Sequence, residues 1–257
     1  MKTNYRLQGP SDGPVVTLSH PLAATLDLWE AQAAALDDCY RVLRYDTRGH
    51  GASDVPPGPY TLEQMVQDLR ELWHDEHIDR THFVGLSMGG LIGMMAALTA
   101  PTMIASLVLC DTTSCYGAGM QAMWTDRIRA AESHGITDAL IERTMEMWFT
   151  PPFREHHKKT VDRLRGMFRA TDPRGYIGAV QAIADVDLTE RLTAISCPTL
   201  VVVGERDPGT PPAMARAIHE RIQGSRLLVL PDAAHCSVVE RAQEFNRALL
   251  TFLAGVP

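Results

Sequence analysis

The run from Phe83 to Gly90 contains a serine, Ser87, with a glycine two residues away on each side, Gly85 and Gly89. Apolar residues precede and follow it, as expected where a β-strand turns directly into an α-helix. On such a turn the strained backbone lifts the serine hydroxyl out of the sheet, and only small residues fit two positions away. The helix that follows directs unpaired N–H groups toward developing negative charge. The pattern predicts that Ser87 is the nucleophile of an acyl-transfer reaction.

A serine hydroxyl needs a base to accept its proton and an acid to orient that base. His235 follows an apolar run that ends at Leu230, and Asp207 follows another that ends at Gly204. Parallel sheets place their active sites at the carboxyl ends of strands. The order Ser87, Asp207, His235 is that of an α/β-hydrolase triad, so we predict these three residues as nucleophile, acid and base.

A second carboxylate competes for the role of the acid. Asp111 follows the apolar run from Ser106 to Cys110, and a carboxylate at that earlier strand end could also reach the histidine. We favour Asp207 and keep Asp111 as the alternative, which would otherwise cap a turn.

The tetrahedral intermediate of acyl transfer needs two backbone N–H donors for its oxyanion. One is expected from Met88, because it follows the nucleophile. The other is expected from the loop His20-Pro21-Leu22-Ala23, where Pro21 has no N–H to donate. We therefore assign the second donor to Leu22.

The elements that must position these residues are short, mostly apolar strands separated by helical patterns. Buried parallel strands have such near-continuous apolar runs. A capping-box spacing, Thr61-x-x-Gln64, opens one helix, and the run from Met88 to Leu98 is apolar nearly all round. We predict strands at residues 14–19, 41–45, 82–86, 106–110, 199–204 and 226–230. Strand alternating with helix predicts an α/β fold with a doubly wound, mostly parallel sheet.

The alternation stops between residues 116 and 193, where helical segments rich in Met, Trp and Arg replace the strands. We predict a core made of residues 1–115 and 194–257, with residues 116–193 inserted as a helical cap.

Composition excludes several classes of function. The 24 Lys and Arg against 31 Asp and Glu give a net charge of −7, which argues against nucleic-acid binding. No apolar run approaches the roughly 20 residues that cross a bilayer, and the first residues do not resemble a signal peptide. The five cysteines, an odd number without C-x-x-C spacing, argue against a disulfide framework or a zinc site. We expect a cytoplasmic enzyme without membrane partners; nothing indicates its oligomeric state.

These motifs resemble the α/β-hydrolase superfamily and, more narrowly, the 3-oxoadipate enol-lactone hydrolases of aromatic catabolism. The resemblance covers nearly the whole chain. The segment 44–51 and the triad loops carry the superfamily likeness. The segments 57–61, 85–93, 148–153 and 172–176, together with Trp124-x-x-Arg127, match the enol-lactonase pattern in order and approximate spacing. The family usually has Asn-Ser-Leu-Gly in the oxyanion loop, whereas this chain has His20-Pro21-Leu22-Ala23.

The resemblance implies a serine hydrolase that opens a small lactone, needs no metal or organic cofactor and forms an acyl-enzyme on Ser87. The lactone of this family carries a free carboxylate, for which a cationic anchor in an apolar pocket is expected. Arg127 is our candidate anchor, and Trp124 lies on the same helix face. Alternatives on the same triad are a carboxylesterase, a carbon–carbon bond hydrolase and a cofactor-free perhydrolase. A ligand-binding receptor on a hydrolase scaffold is the alternative from another class.

Overall fold

A single seven-stranded sheet organises the molecule, and a computed structural model describes residues 1–256 of it. The strands are β1 (Tyr5–Gln8), β2 (Val15–Ser19), β3 (Arg41–Tyr45), β4 (Thr81–Leu86), β5 (Ile104–Cys110), β6 (Thr199–Gly204) and β7 (Arg226–Leu230). Their order across the sheet is β1-β3-β2-β4-β5-β6-β7. All neighbouring pairs are parallel except β1 with β3.

Helices connect the parallel strands, because a parallel pair cannot be joined by a tight hairpin. They are α1 (Glu30–Leu36), α2 (Leu62–Asp75), α3 (Met88–Thr99), α4 (Gln121–His134), α5 (Asp138–Trp148), α6 (Pro151–His156), α7 (Lys158–Arg169), α8 (Pro173–Ala184), α9 (Pro212–Arg221), α10 (Ser237–Glu240) and α11 (Ala242–Ala254). Short 3₁₀ turns lie at Leu26–Trp29, Pro101–Met103, Ala118–Met120 and Thr189–Ala194.

The central strands β4 and β5 are buried along their whole length, which explains their continuous apolar sequence. Helix α3 starts directly after β4 and is buried nearly all round, as its sequence predicts. Helix α2 begins with the predicted capping box: the Thr61 hydroxyl accepts from the Gln64 amide, and the Gln64 side chain accepts from the Thr61 amide. The carboxyl end of β4 therefore lies in the middle of the row of strand ends.

Helices α4 to α8 all lie between β5 and β6, in the segment predicted as the cap. None of the described helices is long and apolar enough to cross a membrane.

The predicted doubly wound, mostly parallel sheet is confirmed, and all six predicted strands are present to within two residues at either end. The edge strand β1 was not predicted. Its residues are exposed or partly buried, and only one side of β1 has a neighbouring strand, so it lacks the apolar run that marked the others.

Candidate active site

Ser87 lies at the turn between β4 and α3 in a backbone conformation that L-residues rarely adopt, with φ 55° and ψ −113°. Two hydrogen bonds from the neighbouring strand end hold it there. The Ser87 amide donates to the carbonyl of Cys110 at 2.9 Å, and the Thr112 hydroxyl donates to the Ser87 carbonyl at 2.7 Å. A strained residue persists only where its surroundings fix it, and strain of this kind clusters at active sites.

The two flanking glycines are required by close backbone contact. A Cβ atom at Gly85 would lie 2.2 Å from the Gly89 carbonyl oxygen, and one at Gly89 would lie 2.2 Å from that of Ser19. The opposing backbone atoms are buried and cannot move away. Only glycine therefore fits at Gly85 and at Gly89.

Asp207 and His235 meet at the ends of β6 and β7. Oδ2 of Asp207 lies 2.9 Å from Nδ1 of His235, and both residues are 3% exposed. The remaining acceptor capacity of Asp207 is taken by its own loop. Its Oδ1 accepts from the amides of Gly209 at 2.8 Å and Thr210 at 3.0 Å, and its Oδ2 accepts from the Thr210 hydroxyl at 2.6 Å. This network holds the carboxylate against Nδ1 and leaves Nε2 of His235 for proton transfer.

The same contacts keep Asp207 ionised. Burial alone would raise its pKa, but the His235 charge and the hydrogen bonds from His235 and Thr210 outweigh burial, so the pKa lies below its ordinary value. A carboxylate that stays charged at neutral pH can stabilise the imidazolium formed when His235 accepts a proton.

Asp111, the alternative acid, lies elsewhere in the same region. Within residues 1–256 it makes no hydrogen bond to His235; its Oδ1 accepts from the Gly204 amide at 2.7 Å, and its Oδ2 contacts the Ser237 hydroxyl. Burial and the nearby Asp207 charge raise the pKa of Asp111 well above its usual range. Asp111 therefore links the ends of β5 and β6 to helix α10.

The two predicted oxyanion donors are both at the site. Met88 is the first residue of α3, so its N–H has no carbonyl partner inside the helix. Leu22 lies in a tight turn closed by the Ala24 amide and the Pro21 carbonyl at 3.2 Å, and it lines the cavity beside Ser87. Ala23 occupies φ 65° in this turn, a region that favours glycine.

Two buried histidines stabilise that turn. Nε2 of His50 accepts from the Ala23 amide at 3.0 Å, and Nε2 of His20 accepts from the Thr47 amide at 3.0 Å. Each Nδ1 faces a carbonyl, that of Pro21 for His20 and that of Arg48 for His50. Both rings are therefore neutral with hydrogen on Nδ1. Burial lowers the pKa of both, that of His50 to about 3, with a further contribution from the neighbouring His20.

A cavity of about 230 Å³ lies between the strand ends and helices α4, α5, α7 and α8. Its lining is mostly apolar. The core contributes Pro21, Leu22, Ser87 and His235, and the helical segment contributes Trp124, Arg127, Arg143, Met147, Trp148 and Tyr176, among others.

Polar groups of the helical segment face this cavity without partners. Trp124 Nε1 and the Tyr176 hydroxyl are buried and have no hydrogen-bond partner among the residues described. The Arg127 guanidinium lies 5.3 Å from the centre of the Trp124 ring. Burial raises the pKa of Tyr176, against the nearby Arg127 charge, so its hydroxyl remains a donor. Two buried donors without a partner, with the Arg127 charge beside one of them, are suited to binding an anion.

Tyr176 and Tyr116 are among the cavity residues that were not predicted from the sequence. Tyr176 falls in a segment that carried the enol-lactonase resemblance but was given no role. Tyr116 follows no motif, yet its ring packs edge-on against Trp124 at 5.0 Å between centroids. Burial raises the pKa of Tyr116 to about 12, against the lowering effect of the Ser87 side chain, so a protonated phenol lies near Ser87. Only the packing of the helices reveals either residue.

Comparison with known proteins places this geometry in a family. The profile of the alpha/beta hydrolase fold matches residues 14–242. 3-Oxoadipate enol-lactonase 2 of Acinetobacter baylyi is 35% identical over 246 residues, covering 96% of this chain and 91% of that protein. The crystal structure of the enol-lactonase from Burkholderia xenovorans LB400 superposes with a TM-score of 0.94 at 37% identity, covering 98% and 96% of the two chains. The putative carbamate hydrolase RutD of Variovorax paradoxus is 30% identical, covering 100% and 97%.

These matches confirm the enol-lactonase resemblance and the prediction of an enzyme of the ester-hydrolase class. The chain belongs to the α/β-hydrolase family.

Proposed function

We propose that this enzyme opens a small enol-lactone that carries a free carboxylate, with 3-oxoadipate enol-lactone as the first candidate. The observation that carries the proposal is the pairing, within one small cavity, of Ser87 and His235 with the unpartnered donors of the helical segment. The first group suits attack on an ester carbonyl, and the second suits a carboxylate at the far end of the same molecule. The enol-lactonase relatives at 35% and 37% identity support the same substrate class.

In the proposed mechanism the Ser87 hydroxyl attacks the lactone carbonyl while Nε2 of His235 accepts its proton. Asp207 holds the His235 tautomer and stabilises the imidazolium. The amides of Leu22 and Met88 donate to the tetrahedral oxyanion, each contributing on the order of 3 kcal/mol. Ring opening expels an enolate that becomes a ketone, so no strongly basic leaving group has to be protonated. Water activated by His235 then hydrolyses the acyl-enzyme.

The carboxylate of the substrate would accept from the Arg127 guanidinium, Trp124 Nε1 and the Tyr176 hydroxyl. Charge-assisted hydrogen bonds of this kind are short and strong, and burial strengthens them further. The exposed Arg143, which also lines the cavity, adds positive charge at its edge. An anionic substrate therefore gains both attraction and orientation.

A carbamate or a simple ester is the second candidate. One specific observation favours it: the loop beside the reacting carbonyl contains His20, Pro21 and Ala23 where enol-lactonases usually have Asn, Ser and Gly. A relative that matches the whole chain is named as a putative carbamate hydrolase. The triad would act in the same way on each of these substrates.

Steady-state hydrolysis of 3-oxoadipate enol-lactone, followed by its loss of ultraviolet absorbance, tests the proposal against p-nitrophenyl acetate and carbamate. A kcat/KM above about 10⁵ M⁻¹s⁻¹ on the lactone, with weak ester and carbamate turnover, is the expected result. Hydrolysis of the ester or the carbamate without hydrolysis of the lactone would support the second candidate, with the same triad. Absence of Ser87 labelling by a fluorophosphonate would instead support a ligand-binding receptor.

A further inference from the structure

The backbone amides of the residues before and after His235 donate hydrogen bonds to groups outside its own loop. The Cys236 amide donates to the carbonyl of Trp148 at 2.9 Å, and the Ala234 amide donates to Oε2 of Glu240. Trp148 is the last residue of α5 and lines the cavity. One support of the His235 backbone therefore comes directly from the helical segment.

Glu240 links the other support to the same segment. Its second oxygen, Oε1, accepts from the Thr150 amide at 2.9 Å and from the Thr150 hydroxyl at 2.7 Å. Thr150 connects α5 to α6 and is 7% exposed. The Glu240 carboxylate thus joins Ala234, the residue before His235, to Thr150. It contacts neither the cavity nor the catalytic side chains among the described residues.

We propose that Glu240 is a positioning residue that couples the helical segment 116–193 to His235. It acts through the Ala234 amide on one side and through Thr150 on the other, and so sets where the imidazole stands relative to Ser87. This inference rests on the proposed role of His235 as the base. Displacement of a catalytic group by about 1 Å can lower the rate about 100-fold, so this second support has a measurable consequence.

The chemistry requires a carboxylate at this position. A carboxylate is an acceptor at both oxygens, whereas a glutamine amide has one acceptor and one donor group. In Glu240→Gln an NH₂ group would face an N–H donor, either at Ala234 or at Thr150, so one of the two links must break. Thr150→Val removes only the hydroxyl bond and leaves the amide bonds in place.

The chain offers a matched control in Glu205. Its Oε2 accepts from the Asp232 amide at 3.1 Å, in the same loop that carries His235, and it makes no contact with the helical segment in the part of the chain described. Glu205→Gln therefore removes the same charge and a similar loop contact without touching the link to Thr150.

The test measures kcat and KM for p-nitrophenyl acetate and the rate of Ser87 labelling by a fluorophosphonate, in the full-length enzyme and these variants. For Glu240→Gln we expect kcat and labelling to fall about 10- to 100-fold with KM within about threefold. Thr150→Val should shift both rates in the same direction by less, and Glu205→Gln should leave both within about twofold. Melting temperatures measured alongside separate loss of folding from loss of positioning.

Rates for Glu240→Gln within twofold of the wild type would overturn the proposal, as would an equal loss in Glu205→Gln. If Glu240→Gln does not fold, an unchanged labelling rate in folded Thr150→Val overturns it. Failure of the wild type to label or to hydrolyse any ester would contradict the proposed function itself, which separates the two results.

Discussion

The two faces of the cavity differ in how completely their polar groups are paired. On the core face, Asp207 accepts four hydrogen bonds and the Ser87 backbone is held at both its amide and its carbonyl. On the face formed by the helical segment, Trp124 Nε1 and the Tyr176 hydroxyl have no partner within residues 1–256. The core face therefore has these polar groups paired within the chain, whereas the face formed by the helical segment, the recognition face, has two donors without an acceptor among the residues described.

This difference has a physical reason. Groups that stabilise a transition state act best when they are fixed beforehand, because no free energy is then used to reorient them during the reaction. A buried donor without a partner costs about 1–3 kcal/mol, and a ligand with the matching acceptor recovers that cost. A substrate analogue without a carboxylate leaves these donors unpaired. The donors of the helical segment therefore favour substrates that carry the acceptor.

Removing the Ser87 hydroxyl, the proposed nucleophile, should have the largest effect on the core face. In Ser87→Ala we expect kcat to fall by about 10⁴- to 10⁶-fold, because the acyl-enzyme cannot form. The melting temperature should hold or rise slightly, since alanine keeps the backbone contacts. Rates on the lactone and on p-nitrophenyl acetate, with circular dichroism melts, check this; a variant that keeps full activity contradicts the mechanism.

The two buried carboxylates should respond very differently to the same substitution. Asp207→Asn would present an amide to Nδ1 of His235 and favour the wrong tautomer, lowering kcat about 10⁴-fold. Asp111→Asn changes a residue that makes no hydrogen bond to His235 within residues 1–256, so we expect a loss below about tenfold. Parallel kcat measurements decide between them, and the reverse ranking would make Asp111 the triad acid.

Removing the positive charge of Arg127 should lower activity only on substrates that carry a carboxylate. Arg127→Gln deletes a charge-assisted hydrogen bond worth about 1.5–3 kcal/mol, so kcat/KM on the carboxylate-bearing lactone should fall about 10- to 150-fold. Hydrolysis of uncharged p-nitrophenyl acetate should stay within about threefold, as should both reactions in Arg129→Gln, an exposed arginine on the same helix. Equal losses on both substrates would show that Arg127 supports the fold rather than binding.

The same contrast explains how far the sequence predicts the site. The core-face residues follow strands or begin a helix, so strand patterns and chain order place Ser87, Asp207 and His235 at one sheet edge. The sequence favours Asp207 but leaves Asp111 open, because both follow buried strands, and only the structure shows which carboxylate contacts His235. Thr210 and the loop around it turn Asp207 toward His235, and no sequence period reports a loop's direction.

The recognition face was harder to predict because helix packing decides which side chains point inward. Trp124 and Arg127 were found through family resemblance and their three-residue spacing, whereas Tyr116 and Tyr176 had no comparable signal. Helices α4 and α8 pack against each other, and their relative rotation sets the cavity lining. Glu240 was missed for a similar reason: its partners, Ala234 and Thr150, are 6 and 90 residues away in sequence.

The smallest expected effect concerns how the free energy of unfolding depends on pH through His50, which supports the turn at Ala23. His50, 1% exposed, accepts from the Ala23 amide only as the neutral ring. Its pKa is lowered to about 3, against about 6.5 in an unfolded chain. Between these values the unfolded chain binds a proton that the folded chain does not. The contribution of His50 to the free energy of unfolding is therefore complete above about pH 6.5. It falls by about 1.4 kcal/mol for each unit of pH below that value.

Urea unfolding at pH 7, 6 and 5 measures this slope in the wild type and in His50→Gln. The glutamine oxygen can accept from the Ala23 amide but does not titrate, so the slope should decrease by the contribution of about one proton. A slope remains in the variant, because burial also lowers the pKa of His20, whose ring centre lies 5.2 Å from that of His50. An unchanged slope would mean that His50 is protonated in the folded enzyme, which would leave the turn at Ala23 without its acceptor.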